Sequence, residues 1–190
     1  MIYEKEITGL TVKLRSVAES DAEVTYAMRA DAEKVKYMHQ VNGTAEDQRR
    51  YIAAQRKKPG DYLFLVTDLN GNPIGMRGIY DVTETSAESG RTIGYGDAFQ
   101  NMEALLLGID FAFDVLGVET VYMDAAADNS SVRGIQVQIG AKEYKREFLA
   151  DLGYEYVFSS LSKADYAVCR EKIMKLIERH AKRHAAGAEA

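Results

Sequence analysis

Residues 90–141 hold the side chains and glycines with the most chemical promise. A strand-like Gly90-Arg91-Thr92-Ile93-Gly94-Tyr95-Gly96 passes through Asp97-Ala98-Phe99-Gln100-Asn101 into a long apolar helix. One strand later comes the polar Ala127-Asp128-Asn129-Ser130-Ser131-Val132-Arg133-Gly134. A glycine-bearing turn from strand to helix leaves the first helical N–H groups without intrahelical partners. With the positive end of the helix dipole, those groups suit a phosphate or pyrophosphate. That chemistry points to a nucleotide-like cofactor. Metal chemistry is not expected, because His39, His180 and His184 are scattered or near the end and bring no cluster of further ligands with them. Cys169 is the only cysteine, so an intrachain disulfide and a cysteine metal cluster are excluded, and it reads as a structural residue on a helix.

The chain of 190 residues, 46% hydrophobic and 28% charged, has the balance of a folded globular protein long enough for a full core. A formal charge of −5 argues against general nucleic-acid affinity, which needs a basic face. The first ten residues lack the apolar run of a signal peptide, and no stretch approaches the roughly 18 apolar residues of a membrane span. A cytoplasmic protein without membrane attachment is expected.

The elements that must position the site follow from periodicity and caps. Residues 10–17 read as a first strand. Ser20 with Glu23 has the form of a capping box and predicts a helix to about Arg29, and residues 36–43 read as a loop. Thr44 with Asp47 predicts a second helix over 45–56, stopped by Lys57-Lys58-Pro59-Gly60. Strands at 62–68 and 73–81 flank Asn70-Gly71, the strongest short signal for a hairpin, because both residues tolerate positive φ. A third antiparallel neighbour is expected at 90–95. Met102, Leu105, Leu106, Ile109 and Phe113 recur at helical spacing over 99–115, with Glu103, Asp110 and Asp114 marking the polar face. A strand at 119–126 then makes a parallel crossover. A short helix at 130–139 ends at Gly140, and strands at 142–149 and 154–161 follow. Ser162 with Asp165 caps a last helix carrying Cys169, Ile173, Leu176 and Ile177 on one face, with a basic end at 175–184 that suits the helix dipole and a frayed tail. A mixed sheet with one parallel step has a place where adjacent strands diverge, and a ligand can enter there.

This order of elements resembles the GCN5-related N-acetyltransferase (GNAT) superfamily, in particular the branch of ribosomal-protein and nucleotide-amino-sugar acetyltransferases. The resemblance covers about residues 10–161. It rests on LRSVAESDAE, AMRAD, DYLFLVTDLNGNPIGMRGIYDV, SAESGRTIG and EALLLGIDFAFDVLGVETVYMDAAADN, and on the spacing of Asn129 to Gly140. It implies an α+β GNAT fold: a mixed, mostly antiparallel sheet of about seven strands with flanking helices. Residues 1–162 would form the acyltransferase domain and 163–190 an added amphipathic helix and disordered tail.

The resemblance further implies acetyl-CoA as co-substrate and no metal. Ile93, Gly94, Tyr95 and Gly96 would lend backbone groups to the pantetheine arm, and the loop to Gln100 and Asn101 would wrap the pyrophosphate. Asn129, Arg133 and Gln136 would lie along the cofactor. Two departures stand out. The usual loop is Gln/Arg-x-x-Gly-x-Gly/Ala, whereas residues 96–101 lack its two glycines, so Gln100 and Asn101 are expected to replace backbone donors with side-chain ones. Asp97 is expected to repel pyrophosphate unless it turns away. Gln136 stands where many members carry a tyrosine that protonates the leaving thiolate, and an amide cannot act as an acid. Tyr95 and Tyr144 are the substitutes by position. Glu88, at the head of its strand, is the expected base and Glu84 the second choice. The oxyanion would be met by a strand N–H near residues 93–95.

For the acceptor, Arg29, Arg77 and Arg91 are candidates to bind an acidic group, and Arg77, mid-strand, would need a partner if buried. His39 and Tyr80 are expected to flank the same site. The function implied is acetyl-CoA-dependent N-acetylation of a primary amine in a ternary complex. An amino-sugar nucleotide is the preferred acceptor, and a protein N-terminus or a small amine is also open. A non-catalytic ligand-binding module on the same scaffold is the competing reading. Monomer and homodimer are both compatible with the chain.

Overall fold

Apolar residues alternate along the strands so that each face of one sheet receives its own helices. The computed structural model describes residues 1–188, with side chains through Arg183. The strands are β1 (Ile7–Thr8), β2 (Val12–Ser16), β3 (Tyr62–Asp68), β4 (Pro73–Tyr80), β5 (Ser86–Gly94), β6 (Thr120–Ala126), β7 (Lys142–Leu149) and β8 (Tyr154–Ser162). Their order in the sheet is β1-β2-β3-β4-β5-β6-β8-β7, eight strands where about seven are expected, the extra one being the two-residue β1. The helices are α1 (Ala22–Ala30), α2 (Ala45–Gln55), α3 (Ala98–Asp110), α4 (Ser130–Gln138) and α5 (Lys163–Ala188). This is the expected α+β architecture, a mixed and mostly antiparallel sheet with flanking helices and a C-terminal helix.

On one face Val12, Leu14, Phe64, Ile79, Ala87 and Val121 pack with Leu106, Ile109 and Phe111 of the α3 region and with Tyr166 and Ile177 of α5. On the other, Val17, Leu63, Leu65, Met76 and Ile93 pack with Ala22, Met28 and Ile52 of α1 and α2. Every strand pair is antiparallel except β5 with β6, whose parallel pairing stops after Ser86–Thr120, Ala87–Val121 and Glu88–Tyr122. Beyond those three pairs both strands continue, to Gly94 and Ala126, without pairing to each other. The sheet therefore forks between β5 and β6. β5 remains paired to β4, with a bulge between the Met76–Ile93 and Gly78–Gly90 pairs, where Arg91 takes φ +50°.

The hairpin forms at Asn70-Gly71, with Gly71 at φ +89°, and Thr44 and Asp47 make the expected reciprocal cap of α2. Other local expectations shift. Ser20 and Glu23 do not cap α1. A 3₁₀ turn over Glu19–Asp21 precedes it, and Asp21 instead accepts from Ala18 N at 2.8 Å and pairs with Arg15. β5 starts at Ser86 rather than Gly90, and α3 finishes in a π-helical turn, Phe111–Val115. Glu103, expected on a polar face, is fully buried: its carboxylate accepts from Leu10 N at 2.6 Å and Thr11 N at 2.7 Å, pinning the β1–β2 turn to α3. α5 runs through Ala188, beyond the start of the tail expected to fray. The end of that tail, Glu189 and Ala190, lies outside the described residues. No helix among the described residues is long and apolar enough to cross a membrane.

Candidate active site

The fork opens a cleft lined by Tyr80, Glu88, Ser89, Tyr122, Met123, Asp124, Tyr144 and Phe158. Register explains the gathering. Tyr80 on β4 sits opposite Glu88 on β5, and Glu88 is level with Tyr122 on β6, so three outward side chains form a row across three strands. Asp124, two residues along β6, extends the row toward Phe158 on β8, and Tyr144 leans in from β7 with its ring 5.8 Å from that of Tyr122. Glycine shapes the other wall. A Cβ on Gly90 would collide with the Tyr80 hydroxyl, and Arg91 lies over the Tyr80 ring at 4.2 Å.

Glu88 and Asp124 reach solvent through the cleft mouth, yet the surrounding protein strips part of their hydration. Desolvation, with the like charges of Asp81 and Asp124, holds the Glu88 carboxyl above its ordinary range. Desolvation does the same to Asp124. Tyr80 is pushed up by burial and by the same carboxylates, and so stays a neutral hydrogen-bonding phenol. Two carboxyls with raised pKa values beside three tyrosines make a site that attracts a cation and accepts its proton.

The helix N-terminus beyond β5 is built differently. Asp97 is the N-cap of α3 and its carboxylate accepts from Phe99 N at 2.8 Å and Gln100 N at 2.9 Å. Gln100 Oε1 accepts in return from Asp97 N at 3.0 Å, and Asn101 Nδ2 donates to Gly96 O at 2.7 Å. Asn101, expected to offer a side-chain donor outward, thus spends it within the loop, while Gln100 is engaged through its carbonyl oxygen. Gly94 is needed there because a Cβ would strike the Asn101 amide. His180 of α5 stacks on Phe99, ring centroids 4.1 Å apart, and stands 3.2 Å from Asp97. Burial alone would raise the Asp97 carboxyl, but the two N–H groups and His180 bring it below its usual range. The basic end of α5, expected to serve its own dipole, lies at the start of α3.

The other expected residues separate into those at the cleft and those elsewhere. Tyr144 is at the cleft. Tyr95 is not, because its hydroxyl donates to Asp31 at 2.8 Å, and burial with that contact pushes its pKa up to about 12. Ile93 is buried in the core beneath α1 and α2. Glu84 lies in the exposed turn before β5, outside the cleft lining. Arg77 faces α3, on the opposite side of the sheet from Tyr80, so it does not meet the acceptor side of the cleft. Arg91 makes a bidentate pair with buried Asp61, at 2.7 and 3.1 Å. Arg29 donates to His39 O at 3.0 Å, and burial with the nearby Arg91 lowers its pKa. His39 meets Asp151 at 2.8 Å, tying the loop after α1 to the β7–β8 turn. Asn129 caps α4 by accepting from Val132 N at 3.3 Å. Gln136 donates to Asp124 O at 3.0 Å, and Arg133 donates to Ala127 O at 3.3 Å beside Glu143. Gln136 and Arg133 line a second, smaller hollow next to the cleft.

Asp124, Tyr122 and Ser89 escaped the sequence reading. Their signal lies in the alternation of Val121, Tyr122, Met123 and Asp124, which turns Tyr122 and Asp124 to the same face.

A family model described as acetyltransferase (GNAT) domain matches residues 11–142. Among solved structures, apo FdhC, a nucleotide-linked sugar GNAT, superposes with a TM-score of 0.78 at 20% identity, over 93% of this chain and 99% of that one. A GCN5-related N-acetyltransferase from Brucella melitensis gives 0.77 at 13% identity, over 92% and 86%. A mutant of the spermidine N-acetyltransferase SpeG from Vibrio cholerae gives 0.70 at 16%, over 82% and 96%. A sequence search of curated proteins finds no match.

Proposed function

Because the chain belongs to the acetyltransferase (GNAT) domain family, we propose that it moves an acetyl group from acetyl-CoA to a primary amine by direct transfer in a ternary complex. The observation that carries this reading is the fork itself. From Ser89 to Gly94 the β6-facing edge of β5 is unpaired to β6, which suits the amide-rich pantetheine arm, and Glu88 stands at the vertex where that arm would deliver its thioester. The Glu88 carboxylate takes a proton from the bound ammonium, and Asp124 holds the cation near it. The unpaired edge of β5 would hold the pantetheine arm of acetyl-CoA, whereas at the phosphate end the Asp97 carboxylate already accepts from the Phe99 and Gln100 N–H groups. His180 of α5 stands at that end, 3.2 Å from the Asp97 carboxylate.

Polarity across the cleft favours an acceptor with two unlike ends. Glu88 and Asp124 would meet an ammonium, and Tyr80 leads from them to Arg91 and the half-buried Arg29, which has no carboxylate partner among the described residues. An amino-sugar nucleotide carries an amine, a ring to stack on tyrosine and a phosphate for the arginine end. FdhC is itself a nucleotide-linked sugar GNAT. A polyamine or peptide N-terminus would use only the acidic end.

Thiol release from acetyl-CoA, measured across amino-sugar nucleotides, free amino sugars, polyamines and peptides, tests the proposal. The amino-sugar nucleotide should give the highest kcat/KM. A preference for polyamine would replace that acceptor. Calorimetric binding of acetyl-CoA with no turnover on any amine would leave a ligand-binding module.

A further inference from the structure

Nothing in the packing around Arg77 accounts for its charge. The residue is 5% exposed, and burial pulls its pKa down to about 10, with only Tyr166 acting the other way. Its Nε has no hydrogen-bond partner among the described residues, and Nη1 makes one long contact, 3.5 Å to Ser89 Oγ. A buried cation without a carboxylate is costly, and the cost is not relieved locally. The space for it is nevertheless kept open: a Cβ on Gly108 of α3 would lie 2.6 Å from Arg77 Cδ.

Ser89 links this cation to the fork. It is the first β5 residue beyond the last parallel pair with β6, it is buried, and it lines the cleft from the Arg77 side of the sheet, the face opposite to that of Glu88. With Arg77 Nη1 donating to its Oγ at 3.5 Å, the serine oxygen is engaged as an acceptor and its own hydrogen is left to be donated, an orientation open to the fork. We propose that Ser89, held in that orientation by Arg77, donates a hydrogen bond to the negative charge that develops on the thioester during acyl transfer. This rests on the reading of the fork as the transfer site, and it supplies a donor in a chain whose Gln136 amide is spent on the Asp124 carbonyl.

The step balances without an added acid. The ammonium gives one proton to Glu88, and the amine nitrogen forms its bond to the thioester carbon as the C=O electron pair moves to oxygen. Collapse restores C=O and breaks C–S, with the electron pair leaving on sulfur. The nitrogen's second proton passes through water to that sulfur, and Glu88 returns its proton to solvent. Ser89 keeps its own proton throughout, since an alcohol is a much weaker acid than a thiol of pKa about 8.5. Arg77 is a positioning residue, acting through Ser89.

Ser89→Ala removes one hydroxyl and should leave the fold intact. With acetyl-CoA and the best amine, kcat is expected to fall by about 10²-fold, the range for a lost oxyanion donor, while KM for acetyl-CoA stays within about twofold by the same argument. Arg77→Met should lower kcat by about tenfold, Arg77→Lys should recover part of that, and Arg77→Met in the Ser89→Ala background should add little. Gly108→Ala, which crowds Arg77 without changing any charge, should lower kcat in the same direction and serves where Arg77→Met does not fold. Unchanged kcat in Ser89→Ala overturns the proposal. So does an Arg77→Met loss that is equal in both backgrounds. Failure of the unsubstituted protein to turn over acetyl-CoA with any amine would instead defeat the underlying reading.

Discussion

The two ends of the β5–α3 segment treat their polar groups in opposite ways. At the start of α3, Asp97, Gln100, Asn101 and His180 answer one another's donors and acceptors within about one helical turn. At the other end, nine residues earlier, the fork holds two carboxyls with raised pKa values, an arginine with an unpartnered Nε and the buried serine that its Nη1 reaches at 3.5 Å. A satisfied cap stabilises, whereas unsatisfied groups cost stability and persist where chemistry uses them. The contrast supports the proposal that acyl transfer takes place at the fork. It also makes the α3 N-terminus a weaker phosphate cradle than an uncapped helix would be, so cofactor affinity and turnover should respond to different residues.

The largest expected effect is at the fork. Glu88→Gln removes the proposed base and should lower kcat/KM by about 10²–10³-fold at neutral pH, in the range for general base catalysis. Thiol release against pH would show it, with the acidic limb of the profile lost. A loss confined to KM for acetyl-CoA would move Glu88 to the binding side of the contrast.

Asp124→Asn should act through Glu88. Removing a neighbouring negative charge lowers the Glu88 pKa, so the acidic limb of kcat/KM should move to lower pH, with a loss of several-fold from weaker ammonium binding. The same substitution should stabilise. A carboxyl whose pKa is raised by folding contributes most to stability at low pH, and that contribution declines as pH rises through the raised value. The amide has no such decline, so the variant should gain in Tm above the usual aspartate range. Since the carboxylate reaches solvent, the gain is under about 1 kcal/mol.

How much of this was legible in the sequence depends on range. The Asn70-Gly71 hairpin and the Thr44–Asp47 cap are local and could be read directly. The Ala18–Asp21 contact is masked in the sequence because Ser20 and Glu23 mimic the motif two positions away. Glu103 looked like polar-face decoration since its partners, Leu10 and Thr11, are about 90 residues distant. Glu88 came from family resemblance. Its cleft partners Tyr122 and Asp124 depend on the register of β6 against β5, which the expected parallel crossover does not set. Arg77 was placed with Tyr80, yet three residues along a strand reverse the face, so parity alone separates them.

Asp97→Ala probes the other end. The lost cap should cost about 1 kcal/mol, a fall of roughly 2–4 °C in Tm for a chain of this length. It also frees the Phe99 and Gln100 N–H groups and removes a carboxylate from the phosphate end. Calorimetry should then show acetyl-CoA binding tightened by a few-fold, with kcat unchanged. Weaker binding would mean that the cofactor uses the capped loop as it stands.

The smallest effect expected concerns the helix that brings basic residues to that end. Arg170 of α5 makes a bidentate pair with Asp110 near the finish of α3, both bonds at 2.7 Å, while His180 reaches the start of α3. The two contacts hold α5 antiparallel along α3, so Arg170→Ala should loosen the basic end without touching the fork. The pair is half exposed, which limits its contribution to about 1 kcal/mol in thermal unfolding. KM for acetyl-CoA should rise by about twofold, an equivalent of under 1 kcal/mol, and kcat should hold. A fall in kcat at constant KM would tie α5 to the fork instead, and would erase the separation between the binding end and the reacting end on which the comparison stands.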